Sequence, residues 1–590
     1  MLRERLLAST GYDLPLRSRG SLNLVIDSRL GKLGDEGYRL EVKPGTVTIS
    51  ASKPAGVFYG TQTLLQLFPP DVFRKSNISK DWELPCLSIE DSPRFSWRGA
   101  HMDVARHFMP KEFVLKFLDL MALHKLNTFH WHLVDDNGWR IQIKRYPLLT
   151  EKASQVDFSS MNPKGATRSA SQPVGGYYTQ DDIREVVQYA ADRHITVVPE
   201  IELPGHANAI ISAYPELGNK VEIAASGGDT KFMGDMDNVF NADEATIQFL
   251  KNVFDEVLDL FPSKFIHVGG DEVWKDPWKN NPKAQAKMKA LGLKNEDELQ
   301  SWFIRQFDDY LVSKGRRLIG WDEILEGGLA PNAAVMSWRG IDGGIAAAKA
   351  GHDVVMSPTS HAYLDYLQSK ETDKEPKGIG GFVPIQKVYQ FDPVPPALSA
   401  AEAKHILGGQ GNLWSEYIPM PKHMEYMAYP RLCAMAEVLW SPKEGRAFDE
   451  FAGRLAEDLK RLDVLDVNYR KMRPEPVPAA GWKSGQASEE WSDKSWDVSK
   501  QISDAGTYRI VFSFTSGACR LDINSVQLVQ ADAVLGEDKH FGRTGGDSVG
   551  NVYQVKIGTP SPGAPITLRA RVRTDGGDDS NGDIYISKIS

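Results

Sequence analysis

Only three cysteines, Cys86, Cys433 and Cys519, occur in 590 residues. They are far apart and odd in number, which fits neither a disulfide framework nor the close spacing of a zinc site, so three buried, inert thiols are expected. No apolar run approaches the roughly 20 residues that cross a bilayer, and a membrane span is not expected. The net charge is -9 with no dense stripe of Lys and Arg, so the electrostatic footprint of a nucleic-acid binder is missing. The first residues, MLRERLLASTG, hold neither a continuous apolar stretch nor a cleavage site for export. Either the protein is cytoplasmic or it is secreted or periplasmic and its leader is not part of this sequence. The single sequon, Asn77-Ile78-Ser79, is of a kind that arises often by chance.

What is present divides into three stretches, as the length requires, because single cores stop growing at roughly 250–300 residues. Residues 21–51 alternate apolar and polar positions around a Lys-Pro-Gly turn, the pattern of half-buried strands in a hairpin, and GVFYGTQTLLQLF (56–68) reads as a helix. Residues 1–92 are therefore expected to form an α+β domain. From residue 93 to 472 eight short apolar segments follow one another: GAHMDVA, NTFHWHLV, ITVVPEIEL, FIHVGGDE, RLIGWDEI, AAVMSWRG, DVVMSPTS and HILGGQGNLW. Helical stretches at 111–125, 181–193 and 244–261 carry apolar residues at i, i+3 and i+4. Eight β-α alternations predict an α/β fold, a (β/α)8 TIM barrel. The run RPEPVPAAGWKSGQ (473–486) reads as a linker, and the short alternating stretches beyond it, to residue 590, as a β-sandwich.

Nearly every barrel segment ends in chemistry: Arg106, Asp135, Glu202 or His206, Asp271 with Glu272, Trp321, Trp338, Tyr363, and Trp414 with Glu416. In a barrel these positions converge on one face. The segment FIHVGGDEVW sets two carboxylates at the end of an apolar strand, after two glycines that let backbone and ligand approach closely. Burial there raises a carboxyl pKa and equips it as an acid near neutral pH.

HVGGDE closely resembles the catalytic motif of glycoside hydrolase family 20, the β-N-acetylhexosaminidases. RGAHMDVARHF (98–108), HWHLVDD (130–136), PEIELPGH (199–206), GWDE (320–323), SWRG (337–340) and GGQGNLWSEY (408–417) resemble the other barrel strands of that family in order. The resemblance spans about residues 15–470 and implies a retaining exo-β-N-acetylhexosaminidase that acts on oligosaccharides or glycoconjugates. It implies Glu272 as the proton donor and Asp271 as the group that orients the substrate's acetamido nitrogen, with Asp135 and His206 as a relay to Glu272. Arg106 and Glu416 would bind the outer hydroxyls, Asp365 the 6-hydroxyl side and Tyr363 the acetamido carbonyl. Trp321, Trp338 and Trp414 would wall the pocket. No cofactor and no metal is implied.

Two other readings compete. His130-Trp131-His132 with His206 and Asp135 suggests a metal-dependent hydrolase, although no further His/Asp set is evident on the later strands. A sugar-binding protein without catalysis is the other, and the intact Asp271-Glu272 pair argues against it. Trp274 and Trp278 stand in the loop after Glu272, where they would either stack a sugar or pack the loop. Trp482, Trp491 and Trp496 would serve a carbohydrate-binding module or pack the sandwich.

Overall fold

Alternation in YRLEVK and TVTISA turns Tyr38, Leu40, Val42, Ile49 and Ala51 into one buried face, and that face builds the N-terminal core. The computed structural model describes residues 1–17, 20–78, 80–155, 175–219, 239–371, 375–472, 477–545 and 548–589, so Ser79 of the sequon and residues 473–476 of the expected linker lie outside it. Strands β2 (Tyr38–Lys43) and β3 (Thr46–Ala51) form the expected hairpin. Strand β1 (Leu22–Ile26) does not join it as a hairpin partner: a 3-10 helix, Ser28–Leu33, carries the chain across, and β1 pairs parallel to β3. Alternation marks a strand but not its neighbour. Strand β4 (Leu87–Asp91) completes the order β1-β3-β2-β4, and helix Pro54–Leu67 lies on the sheet. A helix at Leu2–Thr10 was not expected from the sequence.

The eight apolar segments become eight parallel strands: β5 (Trp97–Asp103), β6 (Thr128–His132), β9 (Thr196–Glu200), β10 (Phe265–His267), β11 (Arg317–Trp321), β12 (Ala334–Ser337), β13 (Val354–Met356) and β14 (Ile406–Gly411). They close in the order β10-β11-β12-β13-β14-β5-β6-β9. Between β6 and β9 a two-residue ribbon, β7 (Val134–Asp135) with β8 (Gly138–Trp139), holds Asp135 at the strand end. Helices Lys111–Leu123, Gln180–Ala191 and Glu244–Leu260 match the expected amphipathic stretches to within two residues at each end. Period two sorts each strand. On β6, Phe129 and Trp131 pack with the helices, while His130 and His132 face the strands across the barrel. The barrel interior is thus aromatic and histidine-rich as well as aliphatic, with Trp97, Val198, Ile319, Trp321, Met336 and Val355 forming a second cluster there.

The N-terminal sheet and the barrel belong to one compact unit, Met1–Tyr366 with Lys377–Arg470; Leu367–Pro376 and Lys471–Ser590 form another. This second unit holds β15 (Ala480–Trp482), β16 (Ser492–Asp497), β17 (Gly506–Ser516), β18 (Leu521–Gln530), β19 (Ala533–Asp538), β20 (Gly542–Thr544), β21 (Val552–Ile557), β22 (Ile566–Thr574) and β23 (Asn581–Lys588). Two sheets, β15-β23-β17-β21 and β16-β22-β18-β19 with β20 beside β18, enclose a core that includes Tyr508, Phe512, Leu568 and Ile584. The segment Leu367–Pro376 is anchored to it by Lys370 Nζ on Asp583, 2.8 Å apart. Two sequence expectations need correction. Ala480–Trp482, expected as linker, is strand β15, with Trp482 buried and its indole N–H donating to Ser580 Oγ at 3.1 Å. Trp482 is therefore a core residue; Trp496 lies half-buried against Phe512, and Trp491 under Arg573. Cys86 is exposed, whereas Cys433 and Cys519 are buried. Among the described residues no helix is long and apolar enough to cross a membrane.

Candidate active site

At the C-terminal ends of the barrel strands a cavity of about 280 Å³ is lined by Arg106, His206, Asp271, Glu272, Trp321, Trp338, Tyr363, Asp365, Trp414 and Glu416. All these positions were singled out in the sequence, and the fold brings them together. Tyr366, Ile379, Gly380 and Gly381, which carried no sequence signal, complete the wall. Asp135 lies beneath it and reaches the cavity through its partners.

The approach of Asp271 and Glu272 depends on the two glycines before them. Gly269 has φ +66° and Gly270 φ +93°, in the region open to glycine at little cost. A Cβ on Gly269 would stand 1.6 Å from Glu202 Oε2, and one on Gly270 2.6 Å from Ile324 Cγ2. The glycines thus admit neighbouring protein atoms, not ligand as the sequence suggested. The backbone then turns again at Glu272, φ +46°, and His206 opposite it has φ +47°. Left-handed backbone in residues with a Cβ is strain of the kind that surrounding structure must hold in place, and it clusters at functional sites.

His206 links the carboxyl groups. Its Nε2 lies 3.4 Å from Asp271 Oδ2 and 3.7 Å from Glu272 Oε2; its Nδ1 lies 3.3 Å from Asp135 Oδ1 and 3.1 Å from Asp136 Oδ2. Burial lowers the His206 pKa, but Asp135 and Asp271 outweigh it and hold the ring protonated. Asp135 Oδ2 meets Arg106 Nη2 at 2.8 Å and His132 Nε2 at 2.9 Å. Burial would raise its pKa, yet Arg106 and His206 keep it well below the usual carboxylate range. The expected relay continues further than the sequence indicated: His132 Nδ1 contacts Glu200, which also accepts from Trp321 Nε1 at 2.8 Å. The pKa of His132 is lowered by burial but more strongly raised by Glu200 and Asp135, to about 10. Glu202, buried among carboxylates with neither oxygen hydrogen-bonded among the described residues, has its pKa pushed well above the usual value by burial, Asp271 and Glu200.

On the cavity floor Arg106 Nη1 stands 3.2 Å from Asp103 and 3.6 Å from Glu416, with its guanidinium 5.1 Å from the Trp414 ring centroid. Asp271 Oδ1, both carboxyl oxygens of Asp365 and Glu416 Oε2 are buried without a hydrogen-bond partner among the described residues. Orphaned polar atoms are costly, and four of them around one cavity mark it as built for a polar ligand. Trp338 and Tyr363 are stacked, their rings 5.9 Å apart, and Trp321 and Trp414 continue the aromatic wall. Trp338 is held from behind by Glu323, which accepts its indole N–H at 2.9 Å. Burial and then Asp271 raise the Glu323 pKa to about 8. Glu323 was not singled out in the sequence, although its motif GWDE was.

Trp278 does not face the cavity. It is fully buried and donates its indole N–H to the Phe240 carbonyl at 2.8 Å; Trp274 packs on the same apolar core. Four triplets here have ligand-type atoms close enough for a cation: His101-His130-Glu200, His132-Asp135-Glu202, Asp135-Asp136-His206 and Glu200-Glu202-Asp271. Among these carboxylates Asp135 is already met by Arg106, His132 and His206. Both ring nitrogens of His132 are engaged, and His130 sits with its Nδ1 2.9 Å from Gln410 Nε2 and its Nε2 3.0 Å from Glu200 Oε2.

The sequence profile for "Glycosyl hydrolase family 20, catalytic domain" matches residues 95–443, and that for "Glycosyl hydrolase family 20, domain 2" matches residues 1–92. A beta-hexosaminidase of Porphyromonas gingivalis is 43% identical over 486 residues, 80% of this chain; the match spans only 60% of that relative's length. A beta-hexosaminidase of Akkermansia muciniphila is 32% identical over 474 residues, 79% of this chain and 92% of its own. Among solved structures, the family 20 exo-β-N-acetylglucosaminidase of Vibrio harveyi in complex with N-acetylglucosamine superposes with a TM-score of 0.71 at 34% identity, covering 80% of this chain and 72% of that one. The β-N-acetylhexosaminidase of Streptomyces coelicolor A3(2) gives 0.68 at 32%, covering 80% and 90%.

Proposed function

Because the chain belongs to glycosyl hydrolase family 20, we propose that it is a retaining exo-β-N-acetylhexosaminidase, removing terminal β-linked N-acetylglucosamine or N-acetylgalactosamine with the substrate's own acetamido group as nucleophile. The observation that carries this reading is the convergence of Asp271 and Glu272 on one histidine nitrogen at the edge of a cavity with room for about one sugar residue. An ordinary retaining glycosidase holds its two carboxyl groups on opposite sides of the scissile bond, roughly 5 Å apart. Two groups that share His206 Nε2 approach from one side, so a nucleophile must come from elsewhere, and the 2-acetamido oxygen supplies it.

Glu272 then protonates the glycosidic oxygen while the acetamido oxygen closes on the anomeric carbon, breaking the bond and forming an oxazolinium ion. Asp271 accepts the acetamido N–H and stabilises the positive charge that develops there. Water, deprotonated by Glu272, opens the ring with retention. Arg106, Glu416 and Asp365 bind the outer hydroxyls, Tyr363 binds the acetamido carbonyl, and the tryptophans enclose the methyl group and the apolar sugar face. The relay from Asp135 through His206 fixes the charge balance at both carboxyl groups. Initial rates on a panel of para-nitrophenyl β-glycosides test the assignment. N-acetylhexosaminides should be cleaved and the plain β-glucoside nearly ignored, since a site that hydrogen-bonds a group rejects analogues without it by factors of roughly 10⁴–10⁵. Comparable rates on both would refute it.

A further inference from the structure

In the helical layer of the barrel, and among none of the cavity-lining residues, three helices bring a sulfur, a nitrogen and an oxygen together. His124 follows directly on helix Lys111–Leu123, Cys433 lies in helix Arg431–Trp440 and Asp458 in helix Phe448–Val464. His124 Nε2 is 2.8 Å from Asp458 Oδ2 and 3.5 Å from Cys433 Sγ, and Sγ is 3.6 Å from Oδ2. We infer that this cluster binds one zinc ion, or a similar thiophilic divalent cation, as a site separate from the reaction.

The donor set suits zinc, which takes thiolate, imidazole and carboxylate in a tetrahedron. With bonds of about 2.3 Å to sulfur and about 2.0 Å to nitrogen and oxygen, tetrahedral ligands stand about 3.3–3.6 Å from one another. Both distances to Cys433 already have that length, and the His124 to Asp458 distance needs to open by only about 0.5 Å on this estimate. The groups behind the donors orient them as at metal centres. His124 Nδ1–H donates to the Leu120 carbonyl at 2.7 Å, which turns Nε2 toward the cluster, and Asp458 Oδ1 accepts from Arg461 Nη1 at 3.2 Å, which leaves Oδ2 facing inward.

A second, independent feature points the same way. Tyr429 is 1% exposed and its hydroxyl has no hydrogen-bond partner among the described residues. Its ring centroid lies 5.8 Å from that of His124. A water on the fourth position of a bound ion would offer this buried hydroxyl a partner. The side chains of His124 and Asp458 remain 8% and 14% exposed, which leaves an edge for a cation to enter. Binding displaces the protons of the Cys433 thiol and the His124 Nε2.

The test uses the full chain, stripped with a chelator, returned to chelator-free buffer and titrated with cobalt(II). One equivalent should bind with a sulfur-to-cobalt charge-transfer band that zinc then displaces. Cys86→Ser should retain the band, and Cys433→Ser should lose it. Should Cys433→Ser fail to fold, Asp458→Asn serves instead, with cobalt affinity weakened by about tenfold or more. Zinc should raise the Tm of the wild type but not of these variants, while rates on a small substrate stay the same with and without it. A folded wild type that shows no charge-transfer band would overturn the inference, as would a band that survives Cys433→Ser or an affinity unchanged in Asp458→Asn.

Discussion

Glu272 follows Asp271 through a backbone turn at φ +46°, and the two carboxyl groups reach the same atom, His206 Nε2, at 3.7 and 3.4 Å. They differ in access: the Asp271 side chain is 11% exposed and that of Glu272 56%. The inner group is suited to holding a substrate atom and the outer one to exchanging a proton with water.

From this follows the first expectation. Glu272→Gln and Asp271→Ala should each lower kcat by about 10²–10⁴, the usual worth of a positioned acid or of a group that stabilises developing charge. No sugar ester on any carboxylate should be trapped in the reacting enzyme, and a thiazoline analogue of N-acetylglucosamine should inhibit competitively. Intact-protein mass spectrometry that finds a stable adduct would replace the acetamido nucleophile with a protein one.

The pH profile follows from the Glu272 environment. Partial burial raises its pKa above the ordinary 4.5, Asp271 adds to the rise and His206 opposes it. The protonated form is the acid, so activity is lost as pH rises through this raised value, and the alkaline limb lies above that of an ordinary glutamate. Asp271→Asn removes a raising charge. The alkaline limb of its residual kcat should therefore move to lower pH, and a shift to higher pH would contradict the charge coupling.

Gly269→Ala should abolish activity without touching a reacting group. Left-handed backbone costs an alanine about 1–2 kcal/mol, and its methyl group would overlap Glu202, buried beneath Asp271. The expected result is a folded protein by circular dichroism, with a lowered Tm and kcat reduced at least as far as in Asp271→Ala. Wild-type rates in Gly269→Ala would show that Glu202 can move freely.

Stability depends on a pair far from the chemistry. Arg98 of β5 is fully buried and binds Glu36 of the N-terminal domain through two bonds of 2.8 and 2.9 Å, with its guanidinium near the Tyr59 and Trp440 rings. Glu36→Ala strands a buried cation and should cost about 3–5 kcal/mol. Burial raises the Glu36 pKa, but Arg98 and Asn127 outweigh it and the net shift is downward. A depressed folded-state pKa means that the stabilisation is complete above the ordinary value of 4.5 and fades as pH falls through the folded one. The Tm difference between wild type and Glu36→Ala should accordingly shrink in acid. A constant difference from pH 7 to pH 3, roughly the span over which a carboxylate protonates, would mean that the pair is not ionic.

Much of the protein was written in local pattern. Eight apolar segments with chemistry at their ends become eight parallel strands because a strand buried on both sides is mostly apolar along its length, and its few buried polar groups, such as His130, His132 and Glu200, have partners across the barrel. Cavity residues from Arg106 to Glu416 were legible for the same reason: strand ends converge by topology. Contacts between distant segments were not legible. Nothing in YRLEVK or LNLVI says which edge each strand joins, and nothing in a tryptophan-rich loop says that Trp278 turns inward to the Phe240 carbonyl. Glu202 and Glu323 become unusual acids because folding buries them and then sets other carboxylates beside them. Cys433 looked like an inert thiol by spacing, since His124 and Asp458 stand 309 and 25 residues away in the chain. Periodicity and motif depend on neighbours in sequence, whereas charge, pKa and ligand geometry depend on neighbours in space, and packing alone determines those.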